Sequence, residues 1–281
     1  MARLRNDDAR ASPTLALGIL VIFAFCAGSA ASALSAEANT SRSTFSYDEG
    51  GSTGPSEWAT LQKDWAICGR GTKQSPIDIT KVEASKDLGP LKQTYKAGTA
   101  TMQDRGHDFM LNFKGGNGEL TIQGKEYTLQ QVHWHAPSEH TVNGTGFEAE
   151  MHMLHEDPSK ARAVVSVLFS TKAGRPSKLL TDLEPYFKRL AGKENAQEEV
   201  KGPIDPAAWI DKASGYYRYD GSLTTPPCTE GVIWTIMSKV ANASKEQIDL
   251  LKSVSKPAKS NARPAQKINS RVVRYYEPGT K

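Results

Sequence analysis

This sequence contains few cysteines and few histidines, and neither positive nor negative charge is in large excess. Lysine and arginine number 35 against 31 aspartate and glutamate residues, which gives a formal net charge of +4 over 281 residues. The basic residues form no dense run and no stripe interleaved with aromatic residues, so no nucleic-acid-binding surface is expected. No repeat period and no linker interrupts residues 45–276, which favours a single domain.

The N-terminal segment has the layout of a secretory signal peptide. Three arginines precede an apolar run from Leu15 to Phe25, and small residues follow this run. We expect cleavage rather than an uncleaved anchor, because the second half of the segment is Ala, Ser and Gly. We therefore assign residues 1–36 to a signal peptide, 37–44 to a disordered lead-in and 45–281 to a single folded domain. The predicted location is the secretory pathway: extracellular, or a compartment reached by export such as a vacuole, a plastid lumen or stroma, or a periplasm-like space. No stable membrane span is expected after cleavage.

Only three cysteines occur, and Cys26 lies in the signal segment. In an exported chain the remaining pair, Cys68 and Cys228, most simply forms one disulfide, with two separate buried thiols as the alternative. Three Asn-x-Ser/Thr triplets are available for N-glycosylation along this route, so a glycoprotein is expected. They begin at Asn39, Asn143 and Asn242.

Short apolar alternations separated by turn residues indicate strands. Residues 120–132 predict a hairpin that turns at Gly124. The valine-rich run Ala163–Phe169 is typical of a buried central strand, and the alternation from Val232 to Ile236 predicts another.

Helical patterns are fewer. Ser244-x-x-Gln247 is a capping box that predicts a helix start. The segment Leu179–Leu190 has helical spacing but contains Pro185, so we expect a short or broken helix there.

All six histidines lie between His107 and His155, and three of them fit a metal site. His133 and His135 are two residues apart in an alternating run and therefore share one face of a strand. His152 lies in a second alternating run, which allows an adjacent strand to supply a third imidazole. Three neutral imidazoles and one open position make the catalytic type of zinc site.

Two polar residues are spaced to support these histidines. Gln131 precedes His133 by two residues, and Glu150 precedes His152 by two. A ligand histidine needs an acceptor on its other ring nitrogen, and residues two apart on a strand lie on the same face. We therefore expect Gln131 and Glu150 to orient the metal ligands.

A cupin-like metal protein is one alternative. The pattern His133-x-His135-x3-Glu139-x6-Gly146 fits the first metal motif of cupins. The same motif expects a glycine where Tyr127 stands, and the later Pro-x-Gly-x-x-His motif does not occur in the sequence.

Several short motifs together resemble the α-class carbonic anhydrases, most closely the plant and bacterial branches. They occur in the family's order from about Phe45 to Arg274, nearly the whole mature chain. The motifs are Gln74-Ser-Pro-Ile77, Gly106-His-Asp-Phe109, His133-Trp-His-Ala-Pro-Ser-Glu-His140, Glu150-Met-His152, Ser222-Leu-Thr-Thr-Pro-Pro227 and Asn261-Ala-Arg-Pro264.

The resemblance implies a mainly β fold with a large, twisted, mostly antiparallel central sheet and short peripheral helices. It implies that His133, His135 and His152 bind Zn2+, and that zinc hydroxide attacks carbon dioxide to give bicarbonate. The implied enzyme is a carbonate dehydratase, a zinc lyase, with carbon dioxide and bicarbonate as its small-molecule partners. Zinc lowers the pKa of its bound water to about 7, an effect for which carbonic anhydrase is itself the standard example.

The resemblance also assigns roles around the metal. Thr224 would accept a hydrogen bond from zinc-bound hydroxide and donate its own proton to Glu139. His107 would shuttle protons to buffer, with Tyr47 ordering the intervening waters. Cys68 and Cys228 match the disulfide of exported members. The implied substrate wall consists of Leu154, Val165, Leu223, Thr225, Val232 and Trp234.

One region departs from the family pattern. Asp104, Arg105, Asp108 and Met110 surround His107 where many members carry small polar residues or asparagine. These substitutions bear on the orientation and pKa of the imidazole, and therefore on the rate of proton transfer. Two further alternatives remain: a non-catalytic storage or binding protein on the same fold, as in relatives that lost zinc ligands, and a metallohydrolase for another substrate.

Overall fold

The computed structural model describes residues 45–255 and 260–279. The expected signal peptide and lead-in, with Cys26 and Asn39, lie outside the described residues. The strands are β1 (Asp78–Ile79), β2 (Val82–Ala84), β3 (Lys92–Gln93), β4 (Ala100–Asp104), β5 (Phe109–Phe113), β6 (Glu119–Ile122), β7 (Lys125–His135), β8 (Thr141–Val142), β9 (Ala149–Glu156), β10 (Arg162–Ser170), β11 (Gln197–Glu199), β12 (Tyr216–Ser222), β13 (Glu230–Met237), β14 (Ala241–Asn242) and β15 (Val273–Tyr276). The α-helices are α1 (Trp58–Leu61), α2 (Ile67–Arg70), α3 (Lys178–Leu190) and α4 (Lys245–Lys252), and short 3-10 helices span Lys63–Trp65 and Pro206–Trp209.

One large sheet holds most of these strands. Its order is β11-β4-β5-β7-β9-β10-β13-β12-β15-β2, with β14 beside β10, β6 beside β7, and β3 beside β6. Most neighbours are antiparallel, but β10 runs parallel to β13 and β14, and β15 runs parallel to β2. The separate pair β1–β8 is parallel. The sheet is therefore mixed, and the expectation of a mainly β fold with a large twisted sheet and short helices is confirmed.

The centre of the sheet is the run β7-β9-β10-β13. The predicted hairpin is present as β6 and β7, which pair in antiparallel register through Ile122 and Lys125. The predicted central strand and the strand around Trp234 are present as β10 and β13. Each side chain on these strands faces the side opposite to its sequence neighbour, so register decides which residues share a face.

Different apolar clusters cover the two faces of the sheet. On one face, α3 and α4 pack Phe187, Ile248 and neighbouring side chains against β-strand residues such as Met153 and Val165. On the other face, Trp234 lies at the centre of a smaller cluster. Fully burying a large apolar side chain contributes about 1.5–3 kcal/mol, so these clusters supply much of the free energy that holds the sheet rigid.

Of the two longer helices, α4 begins where the sequence predicted, whereas α3 is longer than expected. The capping box at the start of α4 is present, because Ser244 accepts from the Gln247 backbone and the Gln247 side chain accepts from the Ser244 N–H. The expectation that Pro185 shortens or breaks α3 is wrong, since this helix runs through 13 residues. Pro185 and Thr181 are both exposed. Because proline has no backbone N–H, the Thr181 carbonyl lacks its helical hydrogen bond, but water can reach it. The buried face of α3 keeps the helix in place.

An aromatic cluster near the start of the described chain surrounds the disulfide. Cys68 and Cys228 are bonded, as expected, and pack with Tyr47 and Trp58. The bond joins α2 to the loop before β13, across a sequence separation of 160 residues. Among the described residues, the helices are all too short or too polar to cross a membrane.

Candidate metal centre

Three imidazoles meet where β7 and β9 lie side by side. His133 and His152 are directly paired across these strands, and His135 follows two residues later on the same face of β7. The ring centroids are 5.0 Å apart for His133 and His135, 5.1 Å for His133 and His152, and 4.6 Å for His135 and His152. One nitrogen from each ring lies within 4.8 Å of the others, so one cation could contact all three.

The outer nitrogens of His133 and His152 are held by the side chains expected from their spacing. His133 Nδ1 lies 2.8 Å from Gln131 Oε1, and His152 Nε2 lies 2.9 Å from Glu150 Oε1. An acceptor oxygen requires the proton to be on the nitrogen that faces it. The inner nitrogens, His133 Nε2 and His152 Nδ1, are then both unprotonated in the neutral rings, although they lie 3.3 Å apart. Two facing lone pairs at this distance favour a cation between them.

His135 completes the set through the backbone. Its Nδ1 lies 2.7 Å from the carbonyl oxygen of Asn261, which fixes the proton on that nitrogen. Its Nε2 is buried and has no hydrogen-bond partner among the described residues. A buried unpaired acceptor is costly unless a ligand or ion meets it. The donor set of three imidazole nitrogens is the one that zinc prefers at catalytic sites, so the residues fit this metal.

Burial keeps all three rings neutral. Desolvation lowers the pKa of His133 well below its usual value, with the neighbouring His135 and His152 adding to the effect. Desolvation also lowers the pKa of His135, to about 3. For His152, burial lowers the pKa while the Glu150 carboxylate opposes it. Neutral imidazole is the form that coordinates a metal, so the site needs no deprotonation at neutral pH.

Glu150 is the centre of a buried hydrogen-bond network. Its Oε1 also accepts from Ser166 Oγ at 2.5 Å and lies 2.7 Å from His140 Nδ1. His140 Nε2 in turn lies 2.7 Å from the Tyr219 hydroxyl. Burial acts to raise the pKa of Glu150, but His140 and His152 lower it well below its usual range. His140, Glu150 and His152 could also group around a metal, but their nitrogen and oxygen atoms already bond to one another, so this group orients His152.

Glu139 faces the imidazoles from the loop after β7. Its Oε1 accepts from the Arg263 N–H at 2.9 Å, and its Oε2 lies 3.5 Å from His135 Nε2. Among the described residues Oε2 has no hydrogen bond of good geometry. Burial raises the pKa of Glu139 well above its usual value, while the Arg263 N–H and the nearby Thr224 hydroxyl lower it. A cation at the imidazoles would also favour the carboxylate.

His107 lies in the turn between β4 and β5. Gly106 precedes it with φ of 83°, a left-handed conformation that suits glycine. The imidazole packs against Phe45 and Tyr47, with ring centroids 5.2 and 6.2 Å away, and its side chain is 16% exposed. Desolvation lowers the pKa of His107, while Asp108, 3.9 Å from Nε2, raises it.

The residues that depart from the family pattern form their own contacts beside His107. Asp108 is buried and accepts a bidentate ion pair from Arg105. Burial acts to raise the pKa of Asp108, but Arg105 lowers it, so the carboxylate stays charged. Burial also raises the pKa of Tyr47, whose hydroxyl has no partner among residues 45–255 and 260–279.

The structure corrects one residue of the expected apolar wall. Val165 lies on the opposite face of the sheet, in the cluster beneath α3 and α4. Its neighbour Val164 faces the site side, paired with Leu154 and Trp234 on the adjacent strands. The reason is the two-residue period of a strand, because a one-residue error in register places a side chain on the other face.

Four other residues of the expected wall, Leu154, Leu223, Val232 and Trp234, belong to one apolar cluster. Leu223 and Val232 belong to the cluster around Trp234, whose ring centroid lies 4.8 Å from that of His152. Thr224 is buried in the turn after β12, and Thr225 beside it is half-buried. The two described glycosylation candidates, Asn143 and Asn242, are exposed.

Sequence reasoning gave no role to Asn261, which the structure places at the centre of the site. Its amide donates to the carbonyls of His107 and Trp134, and its Oδ1 accepts from the Ala136 N–H. Its own carbonyl accepts from His135. Asn261 therefore joins the loop of the proposed proton shuttle to the end of β7. The only signal in the sequence was its membership of the Asn-Ala-Arg-Pro motif.

Comparison with known proteins identifies the relatives of this chain. A family model described as eukaryotic-type carbonic anhydrase matches residues 53–277. Alpha carbonic anhydrase 7 of Arabidopsis thaliana is 44% identical over 237 residues, which cover 83% of this chain and 85% of that protein. Dioscorin dioA3 of Dioscorea japonica is 44% identical over 236 residues, covering 83% and 86%. A crystal structure of dioscorin complexed with ascorbate superposes with a TM-score of 0.80 at 42% identity, covering 84% of this chain and 99% of that one. These matches exclude the cupin alternative.

Proposed function

The chain belongs to the eukaryotic-type (α) carbonic anhydrase family, and on that premise we propose that it binds zinc and catalyses the reversible hydration of carbon dioxide. The observation that carries the proposal is the arrangement of the three imidazoles. The outer nitrogens of His133, His135 and His152 each meet a protein oxygen, so the neutral rings direct their unprotonated inner nitrogens toward one another. A bound zinc ion would lower the pKa of a water molecule enough to supply hydroxide at neutral pH.

Glu139 and Thr224 orient the reacting solvent molecule in this proposal. The Arg263 N–H holds one oxygen of the Glu139 carboxylate, which leaves the other directed at the imidazoles. In this proposal the Thr224 hydroxyl donates to Glu139, because a carboxylate only accepts hydrogen bonds, and the Thr224 oxygen stays free to accept. Thr224 would then accept a hydrogen bond from a zinc-bound solvent molecule and so fix its orientation toward the substrate.

The apolar wall suits a linear, uncharged substrate. Val164, Val232 and Trp234 offer no charged group, so carbon dioxide is held by shape and by exclusion of water. Bicarbonate carries a charge and gains nothing from these side chains, which favours its release. Leu154 and Leu223 extend the same wall.

His107 moves the proton out of the site. Its ring lies between the buried aromatic cluster and solvent, and Nδ1 has no hydrogen-bond partner within the described chain. Burial lowers the pKa of His107, so its protonated ring releases a proton readily to buffer at neutral pH. In this proposal Tyr47, whose ring centroid lies 6.2 Å from that of His107, orders water between His107 and the imidazoles.

A storage or binding protein on the same fold is the second candidate, favoured by the equal similarity to dioscorin. One experiment separates the two functions. Zinc content and stopped-flow carbon dioxide hydration are measured for the wild type, for His135→Ala, and for Gln130→Ala as an exposed control on the same strand. We expect one zinc per chain and sulfonamide-sensitive activity in the wild type and the control, and loss of both in His135→Ala. Folded wild-type protein without zinc and without activity would support the storage function.

A further inference from the structure

Two arginines lie side by side on the face of the sheet opposite to the three imidazoles. Arg218 of β12 and Arg274 of β15 are directly paired in antiparallel register. Arg218 also pairs with Thr235 of β13, whereas the row that carries His152 reaches β13 at Ile236, one residue further along. Because successive side chains alternate between faces, the two rows point away from each other.

Neither arginine forms a close ion pair within the described residues, although Glu83 of β2 is paired in register with Arg274 on its other side. The ion pairs that arginine forms there belong to Arg105, Arg162 and Arg189. Arg218 Nε is buried and has no hydrogen-bond partner in the described chain. The guanidinium lies over the Tyr216 ring, 5.0 Å from its centroid. Burial lowers the pKa of Arg218, while the Asp220 carboxylate nearby acts in the opposite direction.

This arrangement is unfavourable as it stands. Like charges placed directly opposite on neighbouring strands repel each other. A buried N–H without an acceptor adds the cost of its lost hydration. Both costs disappear if an anion bridges the two guanidinium groups, because the anion supplies the acceptor and cancels the repulsion.

Two cavities flank the pair and give an anion access. One, of about 370 Å³, is also lined by Lys92 and by a single acidic residue, Asp87. The other, also of about 370 Å³, is lined by Lys73, Arg271 and Asp220. The three side-chain hydrogen bonds of Arg271 go to backbone carbonyls, while Asp220 and Glu230 act on its charge only from a longer distance. Positive charge therefore exceeds negative charge in both cavities.

We propose that the Arg218–Arg274 pair binds a small tetrahedral oxyanion of the phosphate or sulfate type. The planar fork of each guanidinium matches two oxygens of such a group, and two forks match its double charge. A single carboxylate offers only two oxygens and one charge, so it fits the pair less well. The site lies on the opposite face of the sheet from the metal centre and is independent of the proposed hydration reaction.

The test titrates inorganic phosphate, sulfate and acetate into the full-length protein by calorimetry at constant ionic strength. We compare the wild type with Arg218→Gln, Arg274→Gln and Arg175→Gln. Arg175 is an exposed arginine that lines neither cavity, so its substitution makes the same change of charge elsewhere. Phosphate and sulfate are expected to bind more tightly than acetate, and each variant of the pair to bind phosphate about tenfold more weakly. The Arg175 variant should match the wild type.

Thermal unfolding gives a second readout, the difference in Tm between the wild type and Arg274→Gln with and without phosphate. Without phosphate, Arg274→Gln should change the Tm little, because at this exposed position it removes both the repulsion from Arg218 and the attraction to Glu83. With saturating phosphate the wild type should become the more stable of the two. Equal phosphate affinity in all variants, or an equal loss in Arg175→Gln, overturns the proposal. So does phosphate binding that survives Arg218→Gln but is lost in His135→Ala, since the anion would then be at the metal centre.

Discussion

Acid should destabilise this protein through a histidine that has no part in the proposed reaction. His155 is fully buried and stacks on Tyr95, a member of the apolar cluster beneath α3 and α4. Its Nε2 lies 2.7 Å from the Tyr95 hydroxyl, and its Nδ1 lies 3.3 Å from the Ala163 carbonyl oxygen. The neutral ring satisfies both partners, with Nδ1 donating to the carbonyl and Nε2 accepting from the hydroxyl. A protonated ring would place a charge in the apolar core.

The magnitude follows from the pKa of His155 in the two states. Burial lowers the pKa in the folded protein from 6.5 to about 4. The unfolded chain therefore binds more protons between these values, and stability falls as the pH falls through this window. From pH 7 to pH 5 this one group should remove about 2 kcal/mol from the free energy of unfolding. Below pH 4 the loss should level off at about 3 kcal/mol.

The assay is urea unfolding at pH 7 and pH 5, for the wild type and for His155→Gln. Glutamine keeps one donor and one acceptor but does not titrate, so the variant retains the contributions of every other ionisable group. The wild type should lose about 2 kcal/mol more than the variant between the two pH values. Equal losses in the two proteins would refute the assignment of a depressed pKa to His155.

Three further outcomes are expected. Asn261→Ala removes the three side-chain hydrogen bonds that hold the C-terminal end of β7 and the His107 loop. Zinc affinity, measured by chelator competition, should therefore fall about 10–100-fold. An unchanged affinity would contradict the positioning role. Replacing Cys68 and Cys228 together by serine should lower the free energy of unfolding by about 5 kcal/mol through loop closure, and a loss below about 1 kcal/mol in urea unfolding would contradict it. Val164→Phe should lower kcat/KM for carbon dioxide at least tenfold, because the larger side chain occupies the space beside the apolar wall. Val165→Phe should lower the Tm and leave the kcat/KM of the remaining folded protein unchanged. The reverse pattern would return Val165 to the wall.

Local rules were enough for several features. The two-residue period of a strand puts His133 and His135 on one face, and the same period places Gln131 against His133. The capping box of α4 needs only residues three apart, so Ser244 and Gln247 identify the helix start. With just two cysteines in the predicted mature chain, the Cys68–Cys228 pairing had no competitor.

Other features depend on contacts that no local pattern encodes. Asn261 reaches His135 across 126 residues, and only the fold brings them together. The choice of Val164 over Val165 follows from strand register, which tertiary packing sets. Pro185 remains inside α3 because the buried face of that helix outweighs one lost hydrogen bond. Periodicity thus determined which side chains share a face, whereas the partners across the sheet were decided by the packing of distant segments.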